Sequence, residues 1–187
     1  MKFPEIRSMI TQDLILRKIR REDAQLYFER VGSREAVTRY MLFMPHADLS
    51  ESVESIEHVL RRYETGRCYR WAIARKEDDS IIGMIELLRF DEQEETCSFA
   101  YMIGNDYWGK GYGTQALQAA LRFAFSEMGL FAVEADHMAA NPASGAVMRK
   151  CGMVHVRTEE GKYSKNGKIY DAPVYRITRG MWDDQNS

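Results

Sequence analysis

The residues best equipped for chemistry in this chain lie between Tyr101 and Ala116, where Gly109, Gly111 and Gly113 alternate with Lys110, Tyr112 and Thr114. Glycine permits positive φ and lets a ligand come close to the main chain. The stretch begins as the end of an apolar strand, Thr96 to Ile103, and finishes as the first turn of a long helix. A helix starting at such a turn aims its free N–H groups and the positive end of its dipole at one spot. Anions bind there, phosphate above all. Two nucleotide-binding patterns match only in part. Gly104 to Lys110 spells G-x-x-x-x-G-K, but Gly111 stands where a magnesium-nucleotide loop needs Ser or Thr. Gly111 to Ala116 spells G-x-G-x-x-A, with Glu134 downstream. A dinucleotide fold places those glycines after its first strand, whereas several strands come before them here.

A third pattern fits better. Trp108-Gly109-Lys110-Gly111-Tyr112-Gly113-Thr114-Gln115-Ala116 resembles the pyrophosphate loop of the GNAT superfamily of N-acetyltransferases. Its core reads Arg or Gln, two variable residues, Gly, one variable residue, then Gly or Ala, and it falls on Trp108 to Gly113. Trp108 departs from the usual first residue, but Trp-Gly-x-Gly-Tyr is the form seen in the RimJ/RimL-type branch. The resemblance extends from Leu14 to Trp182, and Asp171 to Tyr175 looks like the branch's closing Asp-x-x-x-Tyr strand.

The resemblance implies an α/β acyl-CoA N-acyltransferase fold, with a mixed, mostly antiparallel sheet flanked by helices on both faces. It implies acetyl-CoA as co-substrate, with the pyrophosphate on Trp108, Gly109, Lys110, Gly111, Tyr112, Gly113 and Thr114. The pantetheine arm would pair with main-chain groups of Tyr101, Met102 and Ile103, where the strand before the loop parts from its neighbour. In Asn141-Pro142-Ala143-Ser144, the asparagine would bond that arm and the serine would lie near the sulfur. Asn is equally a good helix N-cap, with Pro at the first helical position. Arg149 and Lys150 could reach the adenosine phosphates or simply be solvated.

Acetyl transfer needs a neutral amine, attack on the thioester and a proton for the departing thiolate. Many members of the resembled family carry a glutamate on the strand before the loop, and RimJ/RimL-type chains read Ala-Glu-Leu-Gly-Tyr there. This chain reads Cys97-Ser98-Phe99-Ala100-Tyr101, so Ser98 stands in the glutamate's place. Glu86, inside the apolar run Ile85-Glu86-Leu87-Leu88, is the remaining candidate base, because burial raises a carboxyl's pKa. A solvent-facing strand position is the alternative. Where many acetyltransferases have a tyrosine seven residues after the asparagine, Met148 stands here. Ser144, Tyr101 and water are the candidate acids.

Neutralising a lysine side chain at pH 7 costs about 4–5 kcal/mol, and an α-amino group only about 1–1.5 kcal/mol. With no glutamate at 98, the expected acceptor is a protein N-terminal α-amine. A small-molecule amine, such as a polyamine or aminoglycoside, is the alternative. Attack is expected to be direct, in a ternary complex, since no cysteine sits in a setting that suggests an acyl-enzyme. The rival functions are a nucleotide-dependent hydrolase and a non-catalytic acyl-CoA-binding module.

At 187 residues the chain suits one domain, 1–187, with a core at about 14–182. A net charge of −2 gives no general attraction to nucleic acid, so an anionic ligand must be held by local donors. Three cysteines without a C-x-x-C pair speak against disulfides and zinc, and point to a reducing cytoplasm with no bound metal. Neither a signal peptide nor a membrane span is expected. A homodimer is common among look-alikes.

The elements that must position the glycine turn follow from periodicity. Leu14 to Ile19 reads as an edge strand, followed by a helix with Ala24, Tyr27, Phe28 and Val31 inward and a further helical piece after Ser33. Met41 to His46 is an apolar loop, either tucked into the core or walling a substrate pocket. Ser50 opens a helix carrying Val53, Ile56, Val59, Leu60 and Tyr63 and stopped by Gly66. Tyr69 to Arg75, Ser80 to Phe90 and Thr96 to Ile103 form an antiparallel meander joined by short polar turns. The helix after the glycines carries Leu117, Ala120, Leu121, Ala124 and Met128 on one face. Phe131 to His137 is a strand and Asn141 to Gly152 a short helix. Met153 to Arg157 and Ile169 to Thr178 close the chain as strands joined by a polar hairpin, Lys162 to Lys168.

Overall fold

The computed structural model describes residues 1–185; Asn186 and Ser187, the end of the expected domain, lie outside the described residues. Strands β1 (Met9–Ile10) and β2 (Leu14–Arg17) precede α1 (Ala24–Tyr27), which runs into a π turn at Phe28–Gly32, then α2 (Glu35–Thr38) and α3 (Leu49–Tyr63). The meander β3 (Tyr69–Arg75), β4 (Ile81–Asp91) and β5 (Thr96–Ile103) leads through the glycine turn into α4 (Tyr112–Arg122), prolonged by a π turn at Phe123–Glu127. β6 (Ala132–Asp136), α5 (Pro142–Lys150), the hairpin β7 (Val154–Lys165) and β8 (Lys168–Thr178), and α6 (Arg179–Gln185) follow. All eight strands form one sheet in the order β1-β2-β3-β4-β5-β6-β8-β7. Every neighbouring pair is antiparallel except β5 and β6.

Strand alternation sends side chains to two separate cores. On one face Leu16, Trp71, Ile73, Ile85, Leu87 and Phe99 pack against Leu117, Leu121 and Phe123 of the α4 segment. Trp71 is fully buried, meets Phe123 edge-on at 5.2 Å, and donates its indole N–H to the Arg7 carbonyl. On the other face Ile19, Tyr27, Val31, Ile56 and Val59 close over Ala72 and Met84. Helices therefore cover both faces, as the resemblance implied.

Several boundaries move, each for a local reason. The first long strand stops at Arg17, whose guanidinium turns inward to a bidentate contact with Asp23 at 2.8 Å and also bonds Asp79. Burial alone would lower the Arg17 pKa, but those two carboxylates outweigh it and raise it. Helix α3 is capped by Asp48, which accepts from the N–H groups of Ser50 and Glu51, so it starts before Ser50. Val53, expected inside, is 40% exposed. The last hairpin is longer than expected: β7 and β8 stay paired to Lys165 and Lys168, and only Asn166 and Gly167 turn. Both adopt positive φ, 51° and 72°, as a tight type I′ turn requires.

The Arg17–Asp23 pair is nearly fully buried, so removing Asp23 leaves the buried guanidinium with the more exposed Asp79 as its remaining carboxylate partner. Asp23→Ala is expected to cost about 3–5 kcal/mol of unfolding free energy, read from the urea midpoint at constant slope.

Candidate active site

The glycine turn takes the conformations that only glycine adopts readily. Gly109 and Gly111 have φ of 76° and 77°, and a Cβ at either would meet nothing within 4 Å. The space above both residues is open to a ligand. Gly111 is the N-cap of α4 and no side chain caps that helix, which leaves the first-turn N–H groups directed outward. A Cβ at Gly113 would make only ordinary van der Waals contact with Val147 of α5 and Tyr101 of β5. The Lys110 ammonium lies 5.5 Å from the centre of the Tyr107 ring.

Beneath the turn the sheet opens. β5 and β6 pair only at Thr96–Ala132 and Cys97–Val133. The Gly104 N–H bonds the Ile82 carbonyl, so by alternation Met102 also directs its main chain to β4. Phe99, Tyr101 and Ile103 consequently turn their main-chain groups to the edge that β6 has left. Of the expected arm-binding trio, Tyr101 and Ile103 present backbone there, while Met102 lines the cavity with its main chain turned to β4 and its sulfur accepting from the Tyr27 hydroxyl. The Ile103 carbonyl is already taken by the Trp108 indole N–H at 2.8 Å. Trp108 thus locks the loop onto the end of β5, a role invisible in the sequence.

A cavity of about 580 Å³ fills the gap. It brings together Tyr101, Met102, Ile103, Trp108, Gly109, Gly111, Tyr112, Gly113, Thr114, Asn141 and Ser144; of the expected cofactor residues only Lys110 lies outside its lining. Asn141 heads α5 but its side chain makes no cap hydrogen bond, so its amide is available to a ligand. Burial raises the Tyr101 pKa, partly offset by the Ser144 hydroxyl beside it, and the phenol stays protonated at neutral pH. Lys150 lines the cavity, whereas Arg149 is turned away to the Tyr175 hydroxyl at 2.8 Å. An extended amide-bearing chain ending in a diphosphate fits these features: an unpaired strand edge, an uncapped helix start and an open glycine cradle.

Other expected residues are placed elsewhere. Glu86 does not line the cavity; its carboxylate is bonded by Arg70 and approached by Arg62 at 3.7 Å. Ser98 is outside it too, and Met148 is buried in the α4-side core. The apolar loop after α2 is not tucked into the core: Leu42 and Met44 are more than half exposed, and Met41 and Tyr40 wall the cavity. The Lys165 ammonium, from the tip of the last hairpin, holds this loop through the carbonyls of Thr38, Met41 and Phe43. Tyr107 and Ala36 complete the lining without any signal in the sequence that marked them.

Because the Asn141 side chain caps nothing, Asn141→Ala is expected to leave the melting temperature unchanged while weakening coenzyme A binding about tenfold, the loss of one well-placed hydrogen bond. Loss of about 1 kcal/mol of stability instead would identify a capping residue. Gly111→Ala is expected to cost about 1–2 kcal/mol from its left-handed backbone and to weaken coenzyme A binding as well. Calorimetric titration and thermal melts separate the two effects.

Comparison with known proteins agrees with this geometry. The family described as Acetyltransferase (GNAT) domain matches residues 13–154. The "Uncharacterized N-acetyltransferase YoaA" of Bacillus subtilis (strain 168) is 27% identical over 169 residues, 90% of this chain and 95% of that one. The spermidine N(1)-acetyltransferase of Vibrio cholerae serotype O1 is 20% identical over 173 residues, 92% of this chain and 97% of that one. Among solved structures, RimL, a ribosomal L7/L12 alpha-N-protein acetyltransferase in complex with coenzyme A, superposes with a TM-score of 0.80 at 16% identity. The superposition covers 91% of this chain and 96% of RimL. A glycine cradle before an uncapped helix, a parted strand pair and a family match across most of the chain together place this protein in the GNAT acetyltransferase family, as an acetyl-CoA-dependent N-acetyltransferase.

Proposed function

We propose that this enzyme acetylates the α-amino group of a peptide or protein N-terminus, by direct attack in a ternary complex, in the manner of the RimJ/RimL-type branch. One observation carries the reading: no Asp, Glu or His is among the described residues lining the main cavity. A lysine side chain would have to shed its proton there at a cost of about 4–5 kcal/mol without a carboxylate's help, whereas an α-amine needs only about 1–1.5 kcal/mol. Acetyl-CoA supplies the acetyl group already activated as a thioester. The chain's own part is to hold and to exclude. Main-chain N–H groups from Gly109 to Thr114 receive the diphosphate, the free edge of β5 and the Asn141 amide fix the arm, and Met41, Met102 and Val147 keep water from the reacting centre. Tyr101 and Ser144 are the proton donors for the departing sulfur.

No covalent acyl-enzyme takes part in this scheme. Burial pushes the Cys97 and Cys151 thiols up to about 12, so neither offers a thiolate at neutral pH. Three reduced, buried cysteines also suit a cytoplasmic protein.

Thiol release measured over a panel of peptides with free N-termini, amino acids and spermidine tests the reading. The expected result is turnover on peptide N-termini, rising with pH up to about 8, where the α-amine becomes neutral. Equal turnover on lysine side chains of N-terminally blocked peptides would remove it. Tyr101→Phe is expected to lower kcat by up to about a hundredfold, the small end of general-acid contributions because a thiolate leaves readily. Its affinity for acetyl-CoA is expected to be unchanged.

A further inference from the structure

Ala36 and Val37 of α2, with Tyr40 and Met41 of the loop after it, form one wall of the main cavity. The wall is apolar apart from the Tyr40 hydroxyl. Lys150 is the one charged residue among the described residues lining the whole cavity. It sits three residues after Val147, which lies against Gly113, so its charge belongs to the glycine end. In the proposed function the cradle, the β5 edge and Asn141 hold the donor, which leaves the α2 wall to the acceptor. A side chain packed there loses water and meets no counter-charge. Apolar groups gain from that transfer, whereas an unpaired charge is costly to bury.

This wall has little support of its own. Among the described residues, a single main-chain hydrogen bond lies within the loop, from the Met41 N–H to the Thr38 carbonyl at 2.9 Å. The far end is tied by the His46 N–H to the Gly32 carbonyl, also at 2.9 Å. Lys165 fixes the middle. It is the last residue of β7, paired with Lys168 across the Asn166-Gly167 turn. Its ammonium donates to the carbonyls of Thr38 at 2.7 Å, Phe43 at 2.9 Å and Met41. An ammonium has three N–H donors, and all three are used on one loop. Carbonyl dipoles aimed at one point repel each other unless a cation stands between them. The hairpin is itself anchored, since the Tyr163 hydroxyl and the Lys162 ammonium both donate to Asp136 of β6. Lys165 is outside the cavity lining, so it reaches an acceptor only through the loop.

We propose that Lys165 is a positioning residue that latches the loop after α2 into an apolar wall, and that this wall selects α-amines whose first side chain is uncharged and apolar. The inference rests on the α-amine reading above and narrows its substrate to peptides beginning with residues such as Met, Leu or Phe. Lys165 takes no part in the proton transfers. It keeps Tyr40 and Met41 where the first side chain of the acceptor packs, at the distance that brings its amine to the thioester.

The test uses the full chain at saturating acetyl-CoA with four peptides that differ only in their first residue: Met, Leu, Asp or Lys, each with a free N-terminus. The wild type is expected to show kcat/KM about a hundredfold higher for the Met and Leu peptides than for the other two. Lys165→Met is expected to raise KM for the Met peptide about tenfold, keep kcat within threefold and shrink the Met-to-Asp ratio to about tenfold. Lys165→Arg, which can still donate to carbonyls, is expected to stay within threefold of the wild type. A general loss of fold would lower turnover on all four peptides alike and leave the ratio unchanged. Met41→Asp is expected to place the Lys peptide above the Met peptide, and all three variants to bind acetyl-CoA as the wild type does. Wild-type turnover equal within threefold across the four peptides would overturn the apolar wall. A Lys165→Met protein that keeps the wild-type KM and ratio, or that no longer melts cooperatively, would overturn the latch. Turnover confined to spermidine or to lysine side chains would overturn the α-amine reading instead, and thiol release from no acceptor would overturn acetyl transfer itself.

Discussion

The separation of β5 from β6 after two residue pairs is the constraint on which the rest of the molecule depends. A strand that loses its neighbour in mid-sheet exposes main-chain donors and acceptors that must be satisfied by something else. Here that exposed edge forms the wall of the main cavity, and both ends of the gap are fixed by unrelated devices. At one end the Trp108 indole closes the Ile103 carbonyl. At the other, the antiparallel pairing of β6 with β8 continues over five residue pairs and holds β6 in its diverging course.

Charge is distributed to match this arrangement. The protein carries a net −2, so nothing in its overall field draws in a polyanionic donor. In the proposed binding mode the attraction comes from partial charges on oriented amides at the start of α4, which are fixed in place and need no rearrangement. Formal charges near the sheet are mostly consumed by structure: Glu86 by Arg70 and Arg62, Arg17 by Asp23 and Asp79, and Glu134 by Arg157 and Arg176. Arg70 illustrates the balance, since burial would lower its pKa but the bond and charge of Glu86 raise it instead. A carboxylate in an apolar strand is therefore more readily explained as a partner for a buried arginine than as a base.

The loop after α2 and the last hairpin illustrate how the cavity is closed from its far side. Lys165 joins them by donating to three carbonyls, and burial lowers its pKa because the bonds it makes are to neutral groups. That ammonium, with the Met41 N–H bond to the Thr38 carbonyl, holds Tyr40 and Met41 at the cavity wall.

Much of this was legible in the sequence, for a physical reason. Two-residue and helical periodicities are local, so the meander from Tyr69 to Ile103 and the apolar face of α4 could be read directly. The glycine turn could be read because only glycine satisfies two left-handed positions with open space above them. Contacts between distant segments could not be read. Nothing local tells that Arg70 claims Glu86, that Trp108 reaches back to Ile103, or that Asn141 leaves its helix uncapped. Those facts depend on which strands adjoin and which way each alternation faces, and only the assembled sheet decides that.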